Sequence, residues 1–139
     1  MKLFPAEISI NEFDLEEVSI EFKGSKKTRK KILVEPEDVD YTYKIRKKRK
    51  KNKYKIDFSM LIENEDVLLK IKGYAVYSFP DEFNSEKIGA YMYGNVIPSI
   101  YSSLRGLLFL LTYHSPRRIL LPVVNFYKSY EKDVKETLK

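Results

Sequence analysis

Through the first half of the chain apolar residues fall at every second position, the spacing of strands with one buried face. Glu7-Ile8-Ser9-Ile10-Asn11 alternates, Asp14-Leu15-Glu16-Glu17 interrupts, and Val18-Ser19-Ile20-Glu21-Phe22 alternates again, which predicts one long first strand with a bulge or bend. Tyr41, Tyr43 and Ile45 alternate with Thr42, Lys44 and Arg46, and Tyr54, Ile56, Phe58, Met60 and Ile62 do the same beyond a basic segment. These are two strands of a hairpin, with Asn52 available at its tip for a positive φ. Glu63-Asn64-Glu65-Asp66 makes the next turn. Val67 to Phe79 places Val67, Leu69, Ile71, Ala75, Tyr77 and Phe79 on one face, while Leu68, Tyr74 and Val76 make the other apolar as well. A strand apolar on both faces belongs in the interior.

The pattern then changes to helical. Gly89 and Gly94 flank Tyr91-Met92-Tyr93, Asn95 is placed to cap a helix, and Pro98 is tolerated in a first turn. From Val96 to about Tyr113 the apolar residues Val96, Ile97, Ile100, Tyr101, Leu104, Leu107, Leu108, Phe109, Leu110 and Leu111 occupy almost the whole circumference. A single four-stranded sheet covers one side of a helix, so a second subunit is expected on Ile97, Ile100, Tyr101, Leu104, Leu107, Leu108 and Leu111. Ser115-Pro116-Arg117-Arg118 stops the helix, Ile119 to Val124 is a short extended segment broken by Pro122, and Asn125 caps a last helix to about Leu138. Four strands followed by two helices predict an α+β fold with an antiparallel sheet.

Length and composition narrow this further. The 139 residues suit one domain, 1–139, and the absence of cysteine excludes disulfides and thiolate ligation. No apolar signal segment opens the chain, and the longest strongly apolar run, Gly106 to Leu111, is far short of the roughly 20 residues of a membrane span. A cytoplasmic protein without a membrane span is expected. Glutamine is absent and Lys and Glu are abundant, the pattern of proteins that avoid thermolabile residues.

Two segments then resemble the SecB export chaperones. Leu69-Lys70-Ile71-Lys72-Gly73-Tyr74-Ala75-Val76-Tyr77-Ser78-Phe79 is similar to the last SecB strand, and Asn95 to Gly106, followed by Leu121-Pro122-Val123-Val124-Asn125-Phe126, is similar to the SecB helix, its loop and the entry to the last helix. The resemblance implies a four-stranded antiparallel sheet, two helices and a dimer of dimers with the long helices between sheets. It also implies an ATP-independent holdase, without enzymatic activity or cofactor, that binds unfolded or non-native polypeptide in an apolar groove. Tyr41, Tyr43, Phe58, Tyr74, Val76, Ile119, Leu121, Val123 and Phe126 are the residues expected to line it. SecB chaperones are acidic and dock on the SecA motor, whereas this chain carries a formal charge of +6 and no obvious acidic docking face. A SecA partnership is therefore not expected, and general holding or a toxin–antitoxin partner fits as well.

The basic charge offers an alternative. Lys44 to Lys53, with Tyr41, Tyr43 and Tyr54 nearby, is composed like an RNA- or ribosome-binding surface of charge and stacking rings. Charge runs more often cap strand ends and discourage edge aggregation, so nucleic acid is not the expected partner. His114 is read as structural at a helix C-terminus, and no His/Cys cluster, phosphate-binding loop or catalytic dyad is visible.

Overall fold

A computed structural model of the chain describes residues 1–3, 8–24, 30–50, 52–115, 117–126 and 128, and the backbone alone of Lys30. The chain divides into two compact units, Met1–Gly24 with Asp38–Ile88 and Ser25–Glu37 with Gly89–Lys139.

The first unit is a four-stranded antiparallel sheet of β1 (Ser9–Phe22), β3 (Val39–Lys47), β4 (Lys53–Glu63) and β5 (Val67–Ser78), in the order β1-β5-β4-β3. β5 is internal, as its two-sided apolar character requires. Its register aligns Ile71 with Val18 on one side and Met60 on the other, and Ala75 with Phe13 and Ile56. One face of the sheet is consequently apolar on every strand, and its centre is closed: Ile56, Met60, Ile62, Val67, Leu69 and Ile71 are at most 1% exposed.

The long first strand keeps to that face by two irregularities, between Ile10 and Glu12 and between Leu15 and Glu17. Each extra residue reverses the parity of the strand. Ile10 faces the apolar side from an even position, Phe13 and Leu15 from odd positions, and Val18, Ile20 and Phe22 again from even ones. The acidic interruption in the sequence is the second of these bulges.

Both tight turns have the expected chemistry. Asn52 has φ 53° and is 7% exposed, its Nδ2 donating to Pro80 O at 2.7 Å and Phe83 O at 3.4 Å. Asn64 Oδ1 accepts from the backbone N–H groups of Asp66 and Val67 at 2.8 and 3.0 Å, closing the β4–β5 turn.

The second unit contains β2 (Lys30–Leu33), most of the helical segment and β6 (Arg117–Leu120). The expectation of a helix starting at Asn95 and Val96 is corrected: helix α1 spans Ser85–Tyr91, a π-helical turn follows at Met92–Val96, and α2 continues over Ile97–Thr112. Asn84 is the capping residue, its Oδ1 accepting from Lys87 N–H at 2.8 Å. Pro98 has no N–H and its ring crowds the preceding turn. The wide turn before it, in which Ile97 N–H bonds Met92 O, lets the helix pass without a break.

A second correction concerns Lys23 to Lys31, six basic residues around Gly24-Ser25 whose lack of periodicity predicts a solvated crossing loop. Its end, Lys30 and Lys31, is not loop but the start of β2, which pairs in parallel with β6, matching Ile32 to Ile119. This pairing joins segments more than 80 residues apart, beyond the reach of local pattern. Residues 25–29 and Lys51 lie outside the described residues. So does nearly all of the expected last helix, whose first bond is present: Asn125 Oδ1 accepts from Lys128 N–H at 3.1 Å.

Candidate functional site

The sheet of the first unit leaves apolar side chains exposed along β1 and half-buried along β3. On β1, Ile10, Phe13, Val18 and Phe22 are 61, 41, 43 and 37% exposed although all four lie on the apolar face. On β3, Val39, Tyr41, Tyr43 and Ile45 are half-buried on the same face, and the rings of Tyr41 and Tyr43 lie 6.2 Å apart. Phe58 is 2% exposed and forms the floor between the edges, stacked on Phe13 at 5.5 Å.

Tyr74 and Val76 point to the opposite, polar face. Val76 is fully buried, while Tyr74 is half-buried under Lys55, whose Nζ lies 4.5 Å from the ring centre. A hydrogen bond to Glu12 and the negative charge of that carboxylate raise the Tyr74 pKa above 10.0. The anticipated lining residues of the sheet thus divide between its faces, with Tyr41, Tyr43 and Phe58 together and Tyr74 and Val76 apart.

In the second unit the connection after β6 is clamped to α2. Tyr101 donates its hydroxyl hydrogen to Pro122 O at 2.7 Å, Arg105 Nε donates to Leu121 O at 3.1 Å, and the ring of Phe126 meets Tyr101 edge-on at 5.4 Å. Thr112 accepts from Ile119 N–H at 3.0 Å and donates to Leu108 O at 2.8 Å. Ile119 and Leu121 are buried, Phe126 is half-buried and Val123 is 79% exposed. The clamp holds Val123 outward on a fixed backbone.

Of the residues expected to meet a second subunit, Ile97, Ile100, Tyr101, Leu104 and Leu108 are buried within the single chain, Leu107 is half-buried and Leu111 is exposed. The uncovered apolar surface of α2 lies in its last turns, at Phe109, Leu110 and Leu111, and continues to Tyr113. Arg118 covers the Tyr113 ring at 4.5 Å and donates to its carbonyl, and His114 packs edge-on against the same ring at 5.0 Å.

Sequence reasoning passed over Phe13, Val18 and Phe22 as surface candidates. The available signal was their place on a first strand, which has a neighbour on one side only when the last strand is central.

Among the described residues no group of three or more His, Cys, Asp or Glu side chains is arranged to hold a metal ion, and no helix is long and apolar enough to cross a membrane.

No protein-family model and no curated protein sequence matches the chain. Among solved structures it is similar to a SecB-like chaperone of Mycobacterium tuberculosis in complex with a ChAD peptide from the HigA1 antitoxin, with TM-score 0.56 and 13% identity over 86% of this chain and 91% of that one. The chain has a SecB-like fold. A protein of unknown function from Streptococcus agalactiae aligns over 78% of the chain and 90% of its own length with TM-score 0.44 and 11% identity.

Proposed function

We propose that this protein is an ATP-independent holdase that binds non-native polypeptide on the uncovered apolar borders of its sheet. The observation that carries the proposal is the contrast between a closed sheet centre and open aromatic and aliphatic edges on the same face. Monomeric soluble proteins rarely leave such residues in rows, and rows suit ligands that are themselves extended and varied in sequence. Tyr41 and Tyr43 offer large rigid contact area with hydroxyls that tolerate water when the surface is empty. Phe13, Val18 and Phe22 extend the same chemistry along the opposite border.

The mycobacterial protein of the same fold is in complex with a peptide, which supports polypeptide as the ligand class. An antitoxin-like segment is then one kind of client, and any extended apolar stretch another. Val123 contributes as the exposed residue of the clamped connection, next to the half-buried ring of Phe126, while Ile119 and Leu121 are buried in the same segment. Assembly into dimers and a tetramer belongs to the same proposal, through Leu107, Leu110 and Leu111 on the last turns of α2. The reaction is binding alone, and a cytoplasmic holdase needs neither cofactor nor nucleotide.

The test is dilution of a chemically unfolded protein from denaturant into buffer containing stoichiometric chain and no ATP. Suppressed light scattering that survives moderate salt and weakens in a Tyr41→Ser, Tyr43→Ser variant is the expected result. Scattering equal to that of the unfolded protein alone overturns the proposal.

A further inference from the structure

The backbone that carries the cations at the tip of the β3–β4 hairpin is anchored more firmly than a solvated charge run requires. Lys48 N–H bonds Lys53 O at 2.8 Å, Lys53 N–H bonds Lys50 O at 3.3 Å, and Phe79 N–H bonds Asn52 O at 2.9 Å. With the Asn52 side chain on Pro80 O and Phe83 O, the tip is fastened to the chain segment that follows β5. Of the neighbouring cations, Arg46 and Lys55 share the single carboxylate of Asp57, at 2.9 and 3.8 Å. Lys47, Arg49 and Lys50 at the tip, and Lys44 within β3 opposite Asp57, are exposed, and among the described residues none has an ion-pair partner.

We propose that this anchored tip binds the phosphate backbone of a nucleic-acid duplex, without reading its sequence, as an activity separate from polypeptide holding. The lysine ammonium groups and the Arg49 guanidinium extend from an anchored backbone, which suits a regular array of phosphates. A duplex is favoured over a single strand because the ring nearest the tip is occupied, Tyr54 packing edge-on against Phe79 at 5.8 Å, and Tyr41 and Tyr43 lie farther down β3 on the face opposite to Lys44. At the tip itself bases would find no stacking platform. The paired ribbon beyond the sheet is also too short to enter a groove, since β4 pairs with β5 from Lys53 onward.

An acidic protein partner fits less well, because the tip has no exposed large apolar side chain to form the centre of an interface. The acidic β1 strand of a second copy would make a head-to-tail contact that does not close, along an edge interrupted by two bulges.

The experiment is fluorescence anisotropy of the full chain with a labelled RNA duplex and a DNA duplex of equal length, across a salt series. The comparison is a variant with Lys44→Gln, Lys47→Gln, Arg49→Gln and Lys50→Gln, its fold checked by circular dichroism and its holding of unfolded protein measured in parallel. Both duplexes should bind comparably, each phosphate neutralised contributing about −0.9 to the slope of log affinity against log salt. The variant should bind at least roughly tenfold more weakly with a slope flatter by about 3 to 4, while its holdase activity is retained. Binding of neither duplex, equal binding by the variant, or binding only to polyglutamate or to anionic vesicles overturns the proposal.

Discussion

Phe13 on β1 and Phe58 on β4 stack across the intervening strand, their ring centres 5.5 Å apart and their planes inclined by 30°. Gly73 of β5 lies between them, and it has no side chain to separate the rings. A Cβ at this position would stand 2.8 Å from Phe58 Cζ and would collide with the backbone oxygen of Asp14. The glycine, weak in a strand by itself, is what allows an aromatic pair to bridge three strands.

Gly73→Ala should therefore destabilise the protein by roughly 1–3 kcal/mol, the range for overpacking against atoms that cannot yield. Urea unfolding is the check. An unchanged midpoint would mean that β1 moves freely away from β5.

Asn52 serves the hairpin tip twice, by its positive φ and by its two side-chain hydrogen bonds. Asn52→Gly keeps the backbone conformation and loses the bonds, whereas Asn52→Ala loses both. The alanine variant should be less stable than wild type by about 1–3 kcal/mol and less stable than the glycine variant, as read from their melting temperatures.

Substitutions along α2 should separate folding from assembly. Leu104 and Leu108 are fully buried within one chain, so Leu104→Asp or Leu108→Asp should abolish folding, and Leu108→Ala should cost about 2–5 kcal/mol. Leu111 is 55% exposed. Leu111→Asp should leave the circular dichroism spectrum intact and lower the sedimentation coefficient, and an oligomer unchanged by it would locate the interface elsewhere.

Alkaline pH should weaken the fold. Burial raises the pKa of Tyr77, and burial outweighs the opposing charge of Arg105 to raise that of Tyr101. Both phenols stay protonated in the folded chain at pH values where the unfolded chain, near 10.0, has begun to ionise. Their stabilisation is thus complete below pH 10 and declines as pH rises from there through the folded values. Denaturant midpoints between pH 8 and 11 should show a plateau and then a fall, reduced in Tyr101→Phe. That variant should also lose about 1 kcal/mol at neutral pH with the bond to Pro122.

What the sequence determined by itself was whatever depends on near neighbours along the chain. Period-two alternation located the four strands of the main sheet, and Asn52 and Asn64 marked its turns, because strand faces and turn conformations are set within a few residues. The two-sided apolar run from Val67 marked that strand as interior, since burial on both faces shows in composition. Tertiary structure decided the rest, where contacts link distant segments or compensate for a local break. The parallel match of Ile32 with Ile119 has no local signature. Pro98 signals a helix start, and only the wide turn at Met92–Val96 carries the helix past it. Which apolar residues stay uncovered depends on the order of strands in the sheet. Phe13 and Ile71 look alike as sequence, and one is 41% exposed and the other fully buried because β1 is an edge and β5 has neighbours on both sides.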